Sequence, residues 1–270
     1  MRKNPLRTLL NEDKPTFGTR IAAPWPTLFE YVGRSGQFDY VEFVAEYAPY
    51  TLHDLDNFGR AIELSPDFSG MIKMEQSDQW HLAIRAMSAG IQNLLFTDIR
   101  TAADAEAAVK LIRPEGPGNA YTHGMAGGRI QVNAASDYIE YYNDALIVLM
   151  VEKSGAIDNI EEILRVPGID MVQFGPADYG LSVGKPNRDY ATGLHPEVIE
   201  AREHCMRTAV KMGVRPRAEI SSAAEVDYYS KFGVKDYNLS TDTAILRQFY
   251  AREGKALREA VADIKSAVGV

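Results

Sequence analysis

Short runs rich in strand-forming residues, most of them apolar, alternate along the chain with longer stretches of helical pattern. The strongest run, ALIVLMV at 145–151, is apolar at every position, which is typical of a parallel strand buried on both faces. Turn-forming residues bound most of these runs. Eight runs predict strands, at 17–22, 40–45, 70–75, 93–98, 145–152, 171–176, 214–220 and 236–240.

The stretches between these runs predict helices. Thr101 precedes ADAEAAVKLI with Asp104 three residues later, which is the spacing of a helix capping box. Asp242 precedes TAILRQFYARE and predicts a helix start in the same way. The predicted helices are 25–35, 52–64, 78–88, 101–112, 156–165, 196–212, 222–231 and 242–267.

Strict alternation of strand and helix predicts an α/β fold with a parallel sheet covered by helices. Eight such units in 270 residues favour closure into a (β/α)8 TIM barrel over a doubly wound sheet. We therefore predict one barrel domain over residues 1–270. Residues 113–144 interrupt the alternation, because they join strands four and five through a Pro/Gly-rich stretch and a helix. A long connection of this kind often carries function.

Charge and cysteine content narrow the function classes. With 29 basic and 37 acidic side chains the net charge is −8, which argues against nucleic-acid binding. The single cysteine, Cys205, excludes a disulfide framework within the chain and any Cys-rich zinc site. The absence of an apolar segment at the N-terminus or of an 18-residue apolar run predicts no signal peptide and no membrane span. We expect a cytoplasmic protein.

In a parallel barrel the carboxyl ends of the strands converge on one mouth, where the active site lies. Several carboxylates around one mouth would repel each other unless a cation neutralised them, so the pattern favours a divalent metal. The polar residues expected at these strand ends are Arg20, Glu46, Lys73, Glu75, Asp98, Glu152, Asp178 and Glu219.

Two of these carboxylates belong to neighbouring strands. Glu152 ends a very apolar strand, and the next strand ends in Gly175-Pro176-Ala177-Asp178. Adjacent strands lie about 4.8 Å apart, so both carboxylates can share one hard cation such as Mg²⁺ or Mn²⁺. The backbone N–H groups after Gly175 would face an anion if a helical turn begins there. The alternative is a helix-capping Asp178 and a Glu152 in an ordinary salt bridge.

The chain resembles the HpcH/HpaI aldolase family, which consists of class II metal-dependent pyruvate aldolases with a (β/α)8 barrel of the phosphoenolpyruvate/pyruvate type. The segment VEKSGAIDNIEEILRVPGIDMVQFGPADYGLSVG, at 151–184, is similar to the most specific signature of the family. Four further segments resemble other parts of the family, at 4–41, 45–55, 88–109 and 232–248.

The resemblance implies a role for each matching residue. Glu152 and Asp178 would hold the metal, and the backbone of Gly175, Pro176, Ala177 and Asp178 would bind the carboxylate of a 2-oxo acid. The implied reaction is carbon–carbon cleavage through a pyruvate enolate that the metal stabilises. The resemblance also implies a homo-oligomer, a hexamer built as a trimer of dimers that exchange their last helix.

The departures from the family pattern lie at the mouth. Where the family has Asp-x-Glu-His, with Asp and His as a base dyad, this chain has Val44-Ala45-Glu46-Tyr47. Lys73 replaces an arginine that contacts the keto oxygen, and Met150 replaces a glutamine. A Gly-Ile-Arg-Gly-like stretch is replaced by residues 118–124. The scaffold is kept while the residues expected to touch substrate differ.

Two hypotheses follow for the chemistry. In one, a new acid–base group replaces the dyad, with His123 first, Tyr47 as a possible proton donor, and Glu46 and Lys73 beside them. In the other, the protein decarboxylates or otherwise cleaves a related 2-oxo acid, or only binds a metal and an oxo acid. His123 equally suits an exposed loop histidine. Arg20 either binds substrate or pairs with Glu219 or Glu46.

Overall fold

The protein folds around a closed barrel of eight parallel strands in which each strand pairs with the next and β8 pairs with β1. The computed structural model describes residues 2–74, 79–116, 128–130, 134–186 and 193–268. This architecture confirms the predicted (β/α)8 barrel. The strands are β1 Thr16–Ile21, β2 Tyr40–Val44, β3 Ser69–Lys73, β4 Asn93–Ile99, β5 Leu146–Val151, β6 Met171–Phe174, β7 Arg215–Ile220 and β8 Asp236–Thr241.

All eight predicted strands form, with ends shifted by one or two residues. β6 ends two residues earlier than predicted, at Phe174, because Pro176 starts a helix. Proline at the first helical position has its φ preset for the helix and gives up only an N–H that has no intrahelical partner. All six residues of β5 are buried, as its continuous apolar run predicts.

The helices of the described residues cover the barrel. The capping box predicted at Thr101 forms, because the Thr101 N–H donates to Asp104 at 2.8 Å and Thr101 Oγ1 accepts from the Asp104 N–H at 3.3 Å. The helices are α1 Pro5–Asn11, α2 Pro26–Arg34, α3 Leu52–Glu63, α4 Gln79–Ala89, α5 Ala102–Ile112, α6 Ala135–Asn143, α7 Ser154–Asp158, α8 Ile160–Leu164, α9 Pro176–Ser182, α10 Pro196–Met212, α11 Val226–Ser230 and α12 Asp242–Val268.

Three helical features differ from the sequence-based expectation. The helix predicted over 156–165 is two short helices, because Asn159 has non-helical dihedral angles between α7 and α8. The helix predicted over 222–231 is a 3₁₀ turn at Ala223–Glu225 followed by α11. Helix α1 was not predicted. Its Leu6 is fully buried against inward-facing barrel residues, so α1 closes the amino end of the barrel.

A buried polar layer lies inside the barrel between this apolar plug and the mouth. The Arg217 guanidinium pairs with Glu42 across the barrel, and both side chains are fully buried. Arg217 Nε donates to Gln173 Oε1 at 2.6 Å, and Asn238 donates to Glu42 at 3.0 Å. The ion pair and these hydrogen bonds offset much of the cost of burying the two charges, while Glu42 Oε1 has no hydrogen-bond partner among the described residues.

This layer gives a stability prediction. Arg217→Met leaves the Glu42 carboxylate buried without its cation, so we expect the free energy of unfolding to fall by about 3–5 kcal/mol. The double variant R217M/E42L removes both charges and should recover most of that loss. Urea denaturation of the two variants and the wild type measures the difference. Equal destabilisation of the single and double variants would contradict this account of the pair.

Candidate active site

The mouth of the barrel contains one carboxylate that is buried yet only half satisfied. Glu152 follows directly after β5 and is 2% exposed. Its Oε1 accepts the Asp98 backbone N–H at 2.9 Å, whereas its Oε2 is buried and has no hydrogen-bond partner among the described residues. Burial raises the pKa of Glu152 to about 7, although the Asp98 N–H and the Lys73 charge act to lower it. An unpartnered buried carboxylate oxygen is a position that a cation would satisfy.

Gly175 is required beside this carboxylate for steric reasons. Its φ of −100° is accessible to any residue. A Cβ at this position, however, would lie 2.7 Å from Glu152 Oε2 and 2.7 Å from the Met150 methyl carbon. The backbone therefore approaches Glu152 as closely as it does only because residue 175 has no side chain.

Helix α9 begins at this close approach and resolves one of the alternatives left open by the sequence. Gly175 is the N-cap residue, Pro176 is the first helical residue, and Asp178 lies in the first turn. Asp178 is therefore not the capping residue. The N–H groups of Ala177 and Asp178 have no intrahelical acceptor, because they belong to the first turn. They form a small region of positive potential beside Glu152.

Lys153 and Asp98 extend this cluster. Lys153 Nζ lies 2.8 Å from Asp98 Oδ1 and 3.7 Å from Asp178 Oδ1. Asp98 has a φ of +60°, which is unusual for a residue other than glycine, and this conformation presents its N–H to Glu152. The Asp178 side chain remains 41% exposed. Glu152 has no salt bridge among the described residues, so the alternative of an ordinary ion pair is not seen for it.

Lys73, Glu46 and Tyr47 form a second group at the mouth. Lys73 Nζ lies 2.7 Å from Glu46 Oε2 and 3.4 Å from the Tyr47 hydroxyl group. Burial acts to lower the pKa of Lys73, but the hydrogen bond to Glu46 and the nearby acidic groups outweigh it and hold that pKa well above its usual value. Lys73 is therefore a fixed cation and not an amine nucleophile. Desolvation raises the pKa of Tyr47, so its phenol stays protonated.

Arg20 reaches the mouth from β1, where Glu219 neutralises its charge. Arg20 Nη1 lies 2.6 Å from Glu219 Oε2, and Gln173 donates to the other oxygen of Glu219 at 2.6 Å. Of the two ion pairs considered for Arg20, the structure forms the one with Glu219. This pair connects the mouth to the buried layer of Arg217 and Glu42 through Gln173.

The structure does not bear on every predicted site residue. His123, the Gly-rich stretch at 118–124 and Glu75 lie outside the described residues. Sequence reasoning overlooked Lys153 and the Glu42–Arg217 pair. A usable signal for the pair was a charged residue in the middle of each strand, Glu42 in YVEFV and Arg217 in RPRAEI. Among the described residues, no helix is both long enough and apolar enough to span a membrane.

A closed parallel barrel with polar residues gathered at the carboxyl ends of its strands defines the (β/α)8 barrel enzymes, which carry their active sites at that mouth. The chain belongs to the HpcH/HpaI aldolase/citrate lyase family, whose family model matches residues 70–237. It is accordingly an enzyme, a carbon–carbon lyase of the aldolase type, which confirms the family and the reaction class expected from the sequence.

Three similar proteins illustrate the relationship. A hydroxypyruvate/pyruvate aldolase from Paraburkholderia phytofirmans is 25% identical over 97% of this chain and 98% of its own. A 2-keto-3-deoxy-L-rhamnonate aldolase from Escherichia coli is 30% identical over 76% of this chain and 74% of its own. The crystal structure of an HpcH/HpaI aldolase/citrate lyase family protein from Burkholderia cenocepacia has a TM-score of 0.82 at 26% identity, covering 94% and 99% of the two chains.

The steric role of Gly175 can be tested with a matched pair of variants. Gly175→Ala forces the added methyl group against Glu152 Oε2, so we expect Mn²⁺ affinity and lyase activity to fall at least tenfold. Gly155→Ala is the control, because a Cβ at residue 155 meets no atom within 4 Å. Titration calorimetry with Mn²⁺ and an activity assay measure both variants. Unchanged Mn²⁺ affinity in the Gly175→Ala variant would contradict the proposed proximity of the cation site.

Proposed function

We propose that this protein is a divalent-metal-dependent aldolase that makes or breaks the carbon–carbon bond next to the pyruvate portion of a 2-oxo acid. The observation that carries the proposal is the buried Glu152 carboxylate, whose unpartnered oxygen lies beside the N-terminus of α9. A 2-oxo acid that chelates a metal ion places its carboxylate next to that ion. Glu152 would bind the metal ion, and the adjacent amides of α9 would bind the carboxylate.

Glu152 and Asp178 are the residues that would hold the cation. Both offer hard oxygen ligands, which suit Mg²⁺ or Mn²⁺. Two carboxylates fill only part of an octahedral coordination shell, so the remaining positions would be left for substrate and water. No group of three or more His, Cys, Asp or Glu side chains among the described residues could hold a metal ion. When bound, the cation supplies Lewis-acid stabilisation of negative charge on the keto oxygen.

The backbone from Gly175 to Asp178 would bind the substrate carboxylate. Pro176 has no N–H, so the donors are the amides of Ala177 and Asp178 in the first turn of α9. A substrate carboxylate would accept both hydrogen bonds. The Asp178 side chain is partly exposed, so it would be accessible to the same substrate.

Lys73 would stabilise the charge that develops during bond cleavage. When the bond between carbons 3 and 4 of the oxo acid breaks, its electron pair moves toward the keto oxygen, and the proton of the 4-hydroxyl group passes to a base. Lys73 is protonated, buried and contributes its charge to the surroundings of Glu152. A fixed cation in a site of low polarity lowers the energy of such a transition state.

The acid–base group remains a proposal with two arrangements. His123 is the first candidate, and Glu46, Tyr47 and Lys73 form the second. In the second arrangement Glu46 accepts the proton while Lys73 orients it at 2.7 Å, and Tyr47 stays protonated.

Decarboxylation of a 2-oxo acid with a second carboxyl group is the alternative reaction. Both reactions break the bond between carbons 3 and 4 of the oxo acid. In decarboxylation carbon 4 leaves as CO₂, whereas in aldol cleavage it leaves as the carbonyl carbon of an aldehyde. Decarboxylation therefore needs no base to remove a hydroxyl proton. The ion pair between Glu46 and Lys73 favours keeping this alternative, since it occupies the carboxylate oxygen that would otherwise accept the hydroxyl proton.

Assembly and location form a separate part of the proposal. Helix α12 contacts mainly β1 and β8 and leaves several large apolar residues exposed, so we propose a homo-oligomer, with a hexamer as the expected form. The exposed apolar residues of α12 are Ile245, Leu246, Phe249, Tyr250, Leu257 and Val261.

A cytoplasmic location is also proposed. It rests on the single buried cysteine, Cys205, which has no second cysteine to form a disulfide with.

Metal binding tests the proposed centre directly. We expect Glu152→Gln and Asp178→Asn each to weaken Mn²⁺ binding at least tenfold, because each variant replaces a charged ligand with a neutral one. Asp158→Asn removes an exposed carboxylate at the end of α7 and is the control. Titration calorimetry gives the affinities. Tight Mn²⁺ binding that survives both ligand substitutions would show that the centre lies elsewhere.

The reaction is tested by following two activities side by side. Purified protein with Mg²⁺ or Mn²⁺ is assayed for aldol addition of pyruvate to aldehydes and for oxaloacetate decarboxylation. The aldolase proposal predicts metal-dependent addition that chelation with EDTA abolishes. Decarboxylation without aldol addition would favour the alternative reaction, and neither activity, with Mn²⁺ still bound, would favour a binding protein.

The role of Lys73 gives a further prediction. Lys73→Met removes the fixed cation, so we expect kcat to fall about 100-fold, the size of effect seen when one charge-stabilising donor is lost. Lys73→Arg keeps the charge and should retain more activity than Lys73→Met. Steady-state kinetics separates kcat from KM, while Mn²⁺ affinity checks that the metal centre is intact. A Lys73→Met enzyme with wild-type kcat would exclude this role.

A further inference from the structure

A cavity opens behind the mouth where two neighbouring strands separate. The pairing of β6 with β7 ends at Gln173 and Arg217, while β7 continues to Ile220 alongside β8. Beyond that point the chain after β6 turns at Gly175 into α9. A cavity of about 300 Å³ lies at this point. Phe174 and Pro176 line one side of it, and residues 218–221 line the other.

The cavity reaches from the proposed substrate cradle to the helical layer. Pro176, the first residue of α9, and the Arg20–Glu219 pair line it at the mouth. Met206 and Arg202 of α10 and Tyr229 of α11 line it on the helical side. A ligand group bound beside α9 can therefore extend into this cavity without leaving the protein, and the volume suits a group of a few non-hydrogen atoms.

The three arginines that line this cavity differ in how their charges are balanced. Arg20 pairs with Glu219, and Arg217 pairs with Glu42. Arg202 has no salt bridge to any described carboxylate. Its sequence neighbour Glu203 instead accepts hydrogen bonds from the Tyr228 hydroxyl group at 2.8 Å and from Arg207 at 3.2 Å.

Arg202 is nevertheless held in a defined position. Its Nη1 donates to the Tyr229 hydroxyl group at 3.1 Å, and its Nη2 donates to the Tyr228 hydroxyl group at 2.9 Å. The guanidinium also lies over both rings, 4.9 Å from the centre of Tyr228 and 5.2 Å from that of Tyr229. Its Nε is buried and has no hydrogen-bond partner among the described residues. Two neutral phenols orient the cation, and Glu203 forms no direct salt bridge with it but is linked to it through the Tyr228 hydroxyl group. The half-buried guanidinium therefore has no carboxylate in direct contact among the described residues and can accept an anion from the cavity.

We propose that Arg202 binds the anionic end of a substrate whose reacting carbonyl lies at the mouth. The ligand class is a small organic molecule with a terminal carboxylate or phosphate group, bound along the cavity between β6 and β7. Arg202 is then a residue that determines specificity for the part of the substrate remote from the pyruvate portion. The identity of the ligand as an aldolase substrate rests on the proposed function. Anion binding at Arg202 does not depend on that function.

The first experiment measures anion binding on metal-free protein, so that it is independent of the catalytic centre. Titrations with inorganic phosphate and with succinate compare wild type, R202M and R207M. R207M is the matched control, because Arg207 lies on the same helix, is 53% exposed and pairs with Glu203. We expect R202M to weaken the binding of at least one anion about tenfold or more, which is the loss of one charge-assisted hydrogen bond. Wild-type affinity for both anions in R202M would overturn the proposal.

The second experiment measures specificity on the metal-loaded enzyme with pyruvate and paired acceptors. The pairs are propanal with succinic semialdehyde, and glyceraldehyde with glyceraldehyde 3-phosphate. R202M should raise KM at least tenfold for an anionic acceptor, with kcat and the neutral acceptor little changed, and R202K should restore part of the loss. The pair with the larger change distinguishes carboxylate from phosphate. An equal effect on neutral and anionic acceptors would overturn the assignment.

Failure of the aldolase proposal and failure of this proposal give different results. If no acceptor reacts but phosphate or succinate still binds in an Arg202-dependent manner, the reaction is wrong and the anion site stands. If aldol addition proceeds and Arg202 discriminates neither the free anions nor the acceptors, the reaction stands and the anion site is wrong. A thermal melt of each variant confirms that the Arg202 substitution has not unfolded α10.

Discussion

The close approach of a glycine backbone to a buried carboxylate is the constraint on which the mouth of this barrel depends. Glu152 is held out of water at the end of the most apolar strand, and the residue facing its free oxygen has no side chain. This contact brings the start of α9 next to Glu152, so that donors for an anion and a ligand for a cation occupy adjacent positions. Any side chain at residue 175 would separate them.

The rest of the mouth supports this arrangement through charge. The Asp98 N–H fixes one oxygen of Glu152, and Lys153 lies between Asp98 and Asp178. Within the barrel, the Arg217–Glu42 pair connects through Gln173 to Glu219 and then to Arg20. Side chains in this layer are mutually hydrogen-bonded, so the positions of Arg20 and Glu219 at the mouth follow from contacts made below it. Breaking one member leaves charge buried without a partner.

Sequence patterns predict the scaffold because burial imposes a regular pattern on it. The eight strands follow from apolar runs, and the capping box at Thr101 follows from local hydrogen-bond chemistry. The break at Asn159 between α7 and α8 does not, since its non-helical dihedral angles leave no mark in the apolar pattern. The Glu42–Arg217 pair was missed because its members are 175 residues apart and meet only when the barrel closes. Arg202 looks like a surface residue of an amphipathic helix until α11 places two tyrosines against it.

We propose above all that Glu152 and Asp178 bring a cation next to the amides of Ala177 and Asp178 at the start of α9. Anomalous diffraction from crystals grown with Mn²⁺ and pyruvate is the sharpest test, because the anomalous signal distinguishes Mn²⁺ from water and from the lighter atoms of the protein. We expect an anomalous peak bonded to Glu152 Oε2 and to Asp178, with the pyruvate carboxylate at the amides of Ala177 and Asp178. Mn²⁺ bound away from Glu152, or pyruvate bound away from α9, would contradict it.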